Sequence, residues 1–301
     1  MSRALTDRLS RLGVRVPNVL LPRRGVDLYR WAVIACDQHT SEPDYFEEVE
    51  EIVGDRPSSL YLVYPEVYLG EEQADARITR IHNTMSEYLD RGILTELGES
   101  MILTIRSTPH VSERRGLILA IDLDQYEYEP GATSLIRATE QTIVERIPPR
   151  VRIREGAPLE LPHVLVLVDD PDDELFRGLL GRDLEQLYST QLMLGGGHVA
   201  GYRVDEAGAE QVASTLERLL ESSQAKHPFL FAVGDGNHSL ATAKAVWERM
   251  KGSVPADHPA RYALVEVTNI YDPGLRFAPI HRLVRCDDPS AWVRGFAGAV
   301  D

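Results

Sequence analysis

The sequence predicts an α+β fold, with a mixed sheet and helices packed on it. Three observations carry that expectation. Short apolar runs of strand length are mixed with amphipathic helical stretches, in no regular βαβ order. Hydrophobic residues make up 43% of the 301 positions, enough for a sizeable core. No repeat at solenoid spacing and no low-complexity tract interrupts the pattern. The chain reads as one region over 1–301, and the proline-rich stretch near 148–162 is the candidate internal boundary.

Taken in order, Trp31 to Cys36 is an apolar run that reads as a buried strand, closed by the polar Asp37, Gln38 and His39. Thr40 or Ser41 can cap the next helix, with Pro43 in its first turn. Tyr45, Val49, Ile52 and Val53 share a face of that helix, and Gly54 ends it. Ile78, Ile81, Met85 and Leu89 mark a second helix over about Glu71 to Arg91. Strands are expected near Met101–Arg106 and Gly116–Leu123. Ile136 to Ile147 reads as a helix stopped by Pro148 and Pro149.

Val164 to Val168 is a strand, and Asp173 to Tyr188 reads as a helix broken at Gly181. A hairpin runs through Gly195, Gly196, Gly197 and His198. Glu206 to Ser222 is an amphipathic helix with Val212, Leu216, Leu219 and Leu220 inward. Further strands are expected at Arg261–Val267 and Phe277–Val284, and a helix at Pro289–Val300. The abrupt ending after that helix reads as a piece of a longer protein.

The densest chemistry lies between Phe229 and Met250. An apolar strand, Phe229 to Val233, runs into Gly234-Asp235-Gly236-Asn237-His238-Ser239 and then an alanine-rich helix. A glycine turn between a strand and a helix start is an anion site, because free N–H groups and the positive helix end face one point. The bland alternative is an ordinary turn with an ordinary N-cap. Imidazole at 238 adds nothing to capping, however, and Asp235 repels an anion unless it is protonated, metal-bound or turned away.

Other candidates are weaker. Arg137, Arg146, Arg150, Arg152 and Arg154 form a basic cluster interleaved with Glu140, Glu145 and Glu155. Guanidinium forks suit phosphate or carboxylate, and the alternative is a solvated, salt-bridged surface. Asp37 is a candidate general base or Mg²⁺ ligand. Gly196, Gly197 and His198 are candidate pocket residues, against an ordinary hairpin turn. His281 and Arg282 in Pro279-Ile280-His281-Arg282 are candidates on a strand, against a satisfied core histidine.

Formal net charge is −15, which excludes the basic footprint of nucleic-acid or anionic-membrane binding. Any anionic partner then needs a local basic pocket or a metal. No apolar run approaches membrane-spanning length, and Met1 to Leu12 lacks a signal peptide's apolar stretch. The two cysteines, Cys36 and Cys286, give no disulfide framework and fit a cytoplasmic protein with both thiols free. No His-Glu-x-x-His, Walker A, Rossmann or nucleophile-elbow motif is present.

Four stretches together resemble the domain-of-unknown-function family 1015: Trp31-Ala-Val-Ile-Ala-Cys-Asp-Gln, Leu135-Ile-Arg-Ala-Thr-Glu with Arg146, Gly234-Asp-Gly-Asn-His-Ser, and Pro279-Ile-His-Arg. The resemblance covers most of the chain and implies no established activity. Many members carry Asp-Gly-His-His-Arg at the central turn; here Asn237 and Ser239 replace the first histidine and the arginine. Where many members have Arg-His-Glu, this chain has Arg137-Ala-Thr-Glu140. The Asp-Gly-x-His turn also resembles that of the ParB and sulfiredoxin superfamily, whose members include a nucleotide-using serine kinase. That resemblance implies a ParB/sulfiredoxin-like second half, with a nucleotide phosphate at the helix start.

The expected function is an enzyme acting on a small anionic, phosphorylated molecule, a nucleotide in first reading. Gly236, Asn237, His238 and Ser239 hold phosphate, with Arg137 and Arg282 as clamps. Asp37, Glu140, Asp235 and His238 are the candidate catalytic groups, and Asp37 and Asp235 the candidate Mg²⁺ ligands. The alternatives are a metal-dependent hydrolase using Asp37, Asp235, His238 and His281, and a non-catalytic ligand sensor or partner-binding module.

Overall fold

The computed structural model describes residues 1–140, 147–223, 226–275, 285 and 288–300. Its helices are α1 (Arg3–Arg11), α2 (Leu28–Trp31), α3 (Pro43–Val53), α4 (Ala74–Asp90), α5 (Ile147–Arg154), α6 (Glu174–Leu180), α7 (Glu206–Ser222), α8 (Asn237–Met250) and α9 (Pro289–Val300). Its strands are β1 (Val14–Arg15), β2 (Asn18–Pro22), β3 (Leu94–Glu99), β4 (Ile102–Thr108), β5 (Val111–Asp122), β6 (Tyr126–Glu127), β7 (Ile136–Ala138), β8 (Val164–Val168), β9 (Glu185–Leu192), β10 (Gly197–Arg203), β11 (Phe231–Asp235) and β12 (Tyr262–Asn269).

Among the described residues ten strands form one mixed sheet, in the order β6-β7-β11-β8-β12-β5-β4-β10-β9, with β1 added to β5. Strand β11 runs parallel to β7 and antiparallel to β8, while β12 runs parallel to β8. Strands and helices in this mixed arrangement make the fold α+β, as the absence of a regular βαβ repeat predicts.

The two faces of the sheet are covered differently. Alternate residues of the central strands (Leu117, Leu119 and Ile121 of β5; Val164, Val166 and Val168 of β8; Val265 and Val267 of β12) point into the main core. Against them lie Leu5 and Leu9 of α1, Phe176 of α6, Val212 and Leu216 of α7, and Leu240 and Trp247 of α8. The intervening residues face a second layer that contains β2, β3 and α2 to α4. A cavity of about 1460 Å³ lies under that layer, lined by Ile118 and Leu264 of the sheet and by Leu20, Trp31 and Leu161.

The expected elements at α3, α4, α7, α8, α9, β8 and β12 are present, with ends shifted by a few residues in some. Three differ. Residues 32–36 are not a strand: a short helix precedes them, and no strand is assigned there. The Ser59 hydroxyl donates to the Trp31 carbonyl at 2.7 Å, and the Cys36 carbonyl accepts from Glu66 N at 2.7 Å. Val33 and Ile34 are apolar because they pack around α3, whose Phe46 and Val49 are buried.

The start of the expected Ile136–Ile147 helix is strand β7, whose Ile136 is buried opposite Phe231. The end of the expected Asp173–Tyr188 helix is the start of β9, hydrogen-bonded to β10. Short apolar runs fit either period, and here the neighbouring strand decided. The proline-rich stretch opens α5, whose Ile147 and Val151 pack with Ala241 and Val246 of α8. The expected strand Phe277–Val284 lies outside the described residues.

Candidate functional site

Strand β11 ends at an exposed Gly234-Asp235 pair, and Gly236 turns the chain into α8 with φ 81° and ψ 25°. That left-handed conformation suits glycine, and an added Cβ would also lie 3.1 Å from Val164 Cγ2. Gly236, the N-cap of α8, offers it no side-chain hydrogen bond. Asp235 folds back instead, and its Oδ1 accepts from Gly236 N at 2.8 Å.

Three other segments reach this corner, two of them through the sheet. Val233 pairs with Ala138, so Thr139 and Glu140 follow β7 directly beside the turn. The Thr139 hydroxyl donates to the Val233 carbonyl at 2.5 Å, and Asn237 Nδ2 donates to Glu140 Oε1 at 3.4 Å. Asp235 lies opposite Leu165 of antiparallel β8, so His163 sits just before the start of that strand, next to the turn. Asp37 is the third arrival. Burial pushes its carboxyl above the ordinary aspartate value; nearby His163 opposes the rise, and Asp235 adds to it.

Asp37 is fixed by its neighbours. Glu66 N holds the Cys36 carbonyl, and Arg150 of α5 grips Glu66 Oε1 from Nε at 2.8 Å and from Nη2 at 2.6 Å. Because α5 packs on α8, the helix that starts at the turn supports the neighbouring helix whose arginine positions the Asp37 segment. Burial pushes the Cys36 thiol up to about 12, with Asp37 and Glu66 adding to the shift, so this cysteine is a poor nucleophile.

Among the described residues, two buried acceptors at this corner have no hydrogen-bond partner: Asp37 Oδ1 and Asn237 Oδ1. Asn237 is 3% exposed, so its carbonyl oxygen is cut off from bulk water. An orphaned buried acceptor is costly, and a cation, a proton or a ligand donor relieves it.

The structure therefore gathers Asp37, Glu140, Asp235, Gly236, Asn237, His238 and Ser239 around one strand end. It does not bring Arg137 there. The Arg137 guanidinium donates to the carbonyls of Ser134, His227 and Pro228 and lies 4.8 Å from the Phe229 ring centroid, at the opposite end of β11. Once residues 136–138 are strand, Arg137 and Glu140 no longer share a helical face.

Gly196, Gly197 and His198 are also elsewhere, since β8, β12, β5 and β4 separate β10 from β11. An added Cβ on Gly197 would fall 2.0 Å from the Ser107 carbonyl oxygen, so that glycine admits a neighbouring strand. His198 Nε2 is 2.9 Å from the Ser189 hydroxyl. His281, Arg282, Glu145 and Arg146 lie outside the described residues. Among the described residues no group of three or more His, Cys, Asp or Glu side chains is arranged to hold a metal. No helix among them is long and apolar enough to cross a membrane.

Sequence reading missed His163, which stands alone before an apolar strand in no motif. It also missed the Glu66–Arg150 pair, whose members lie 84 positions apart.

Comparison with characterised proteins finds no match, and comparison with solved structures finds none. The likeness of the turn to the ParB and sulfiredoxin superfamily is therefore unsupported. A family model does match, over residues 20–294, nearly the whole chain. On that match the chain belongs to the family described as protein of unknown function, DUF1015.

Proposed function

We propose that this chain is a cytoplasmic small-molecule enzyme whose ligand carries a phosphate, a nucleotide in first reading, seated at the start of α8. The observation that carries the proposal is the uncapped 14-residue helix behind Gly236, with a second carboxylate, Asp37, drawn against Asp235. The backbone N–H groups of a helix start and the helix dipole favour an anion at such a point. Two carboxylates beside it repel a bare anion but suit Mg²⁺, which commonly takes one or two carboxylates and completes its shell with water and phosphate oxygens.

On this reading Asp235 turns from the Gly236 N–H to hold Mg²⁺ with Asp37, and the backbone of Gly236 to Ser239 then holds phosphate. His238 donates to a phosphate oxygen. Glu140, held by Asn237, accepts a proton from the attacking hydroxyl. With Arg137 turned away, neutralising the ligand falls mainly to the metal.

Titration calorimetry with nucleoside di- and triphosphates, with and without Mg²⁺, tests this. Expected is Mg²⁺-dependent binding that is lost in Asp235→Asn and weakened in His238→Ala, with unfolding curves unchanged. Mg²⁺ binding with hydrolysis of simple phosphate esters, and no nucleotide binding, favours the hydrolase alternative. Binding of no phosphorylated ligand sinks the reading.

A further inference from the structure

A second cluster lies four strands from this corner, on β4 and β5. Arg106 of β4 stands in register opposite Arg114 of β5. Two adjacent guanidiniums in a chain of net charge −15 call for a counter-charge. The nearby carboxylate is Glu266 of β12, and both its oxygens are committed: Oε2 accepts from Arg114 Nη2 at 2.6 Å, and Oε1 accepts from the Thr104 hydroxyl at 2.9 Å. Gly116 makes room for this arrangement, since a Cβ there would fall 2.1 Å from Glu266 Oε1.

That leaves Arg106. Its Nε is buried without a hydrogen-bond partner, as is Nε of Arg114, and no described residue makes an ion pair or hydrogen bond with its guanidinium. Tyr45, in the first turn of α3, lies within electrostatic reach, its ring stacked on His39 at a centroid distance of 3.8 Å. Burial, reinforced by Arg114 and only partly offset by Glu266 and Tyr45, makes the charge on Arg106 unfavourable as it stands. A guanidinium in such a place without a counter-ion is strongly destabilising, whereas a paired one is not.

We propose that Arg106 and Arg114 form a binding site for a small-molecule carboxylate, beside Tyr45 and separate from the α8 corner. Two guanidiniums and one carboxylate leave a single positive charge, which a monoanion neutralises. The two orphaned Nε–H groups supply donors, and a planar carboxylate matches the guanidinium fork.

Arginine Nε–H resonances of the whole chain, followed by nuclear magnetic resonance, test this. Sodium acetate is titrated against sodium chloride at constant ionic strength, with inorganic phosphate as a third arm. Expected is a saturable acetate shift of the Arg106 signal, which Arg106→Met removes from the spectrum, and a rise in unfolding temperature with acetate that this variant lacks. In chloride alone Arg106→Met should unfold no earlier than the wild type, because it removes an unpaired charge. A variant that is unstable or unfolded in chloride means that Arg106 has its partner within the chain, and the proposal fails. The wild-type titration decides independently: equal responses to acetate and chloride overturn the site, and a saturable response to phosphate alone overturns the carboxylate assignment.

Discussion

Asp37 is held where its own negative charge is unfavourable, and that has a definite consequence for stability. Burial and Asp235 raise its folded-state value above the ordinary 3.8, so the folded chain binds this proton more tightly than the unfolded chain does. Stability is therefore lost as pH rises from the unfolded value through the folded one, and the loss is complete above it. Asp37→Asn should be more stable than the wild type near neutral pH, with the difference vanishing in acid. Urea unfolding across that range checks the sign. A difference that grows in acid contradicts it.

Gly236 gives a second prediction at this scale. Gly236→Val forces a β-branched residue to φ 81°, with its Cβ 3.2 Å from Val164 Cα. The left-handed conformation alone costs about 1–2 kcal/mol. Thermal unfolding should fall by that order, and the phosphorylated-ligand binding proposed above should fall by more. Residue-level reading found this glycine, Asp235 and Asn237, because the turn is continuous in sequence. It missed His163, because nothing local marks a single histidine as the neighbour of a turn some seventy residues on.

At the scale of elements, the corner is assembled by the grip of α5 on the segment after α2. Arg150→Met removes charge-assisted hydrogen bonds to Glu66 and should cost about 2 kcal/mol. It should also loosen Cys36, whose half-buried thiol, pushed up to about 12, otherwise resists labelling. In a Cys286→Ser background, faster reaction of Cys36 with a thiol reagent is the expected readout, and an unchanged rate removes the positioning role. Helices with a full amphipathic stripe, such as α7, were legible because their period repeats over 17 residues. Residues 32–36 and 136–138 were not. Each is short, and its form is set by what it touches: the Ser59 hydroxyl and α3 in the first case, β11 in the second.

At the scale of the molecule, the sheet joins chain segments far apart in sequence. Val14 pairs with Ile121, and Ile136 with Phe231. Closing such loops before contacts form is slow, so refolding should fall in the millisecond-to-second range rather than in microseconds. Stopped-flow tryptophan fluorescence reports it, since Trp247 is buried in the main core at 1% exposure. A dominant microsecond phase that recovers the full signal contradicts the expectation.

The sequence by itself determined the α+β class, the strand β8, the helix α7 and the glycine turn into α8, because each rests on local period or local backbone geometry. Tertiary structure decided which candidates meet. It drew Asp37 and His163 to Asp235, sent Arg137 to the other end of β11, and left Arg106 beside Arg114 without an ion pair or hydrogen bond among the described residues. Charge and hydrogen bonding act through space, and strand order, which no local pattern encodes, sets the distances over which they act.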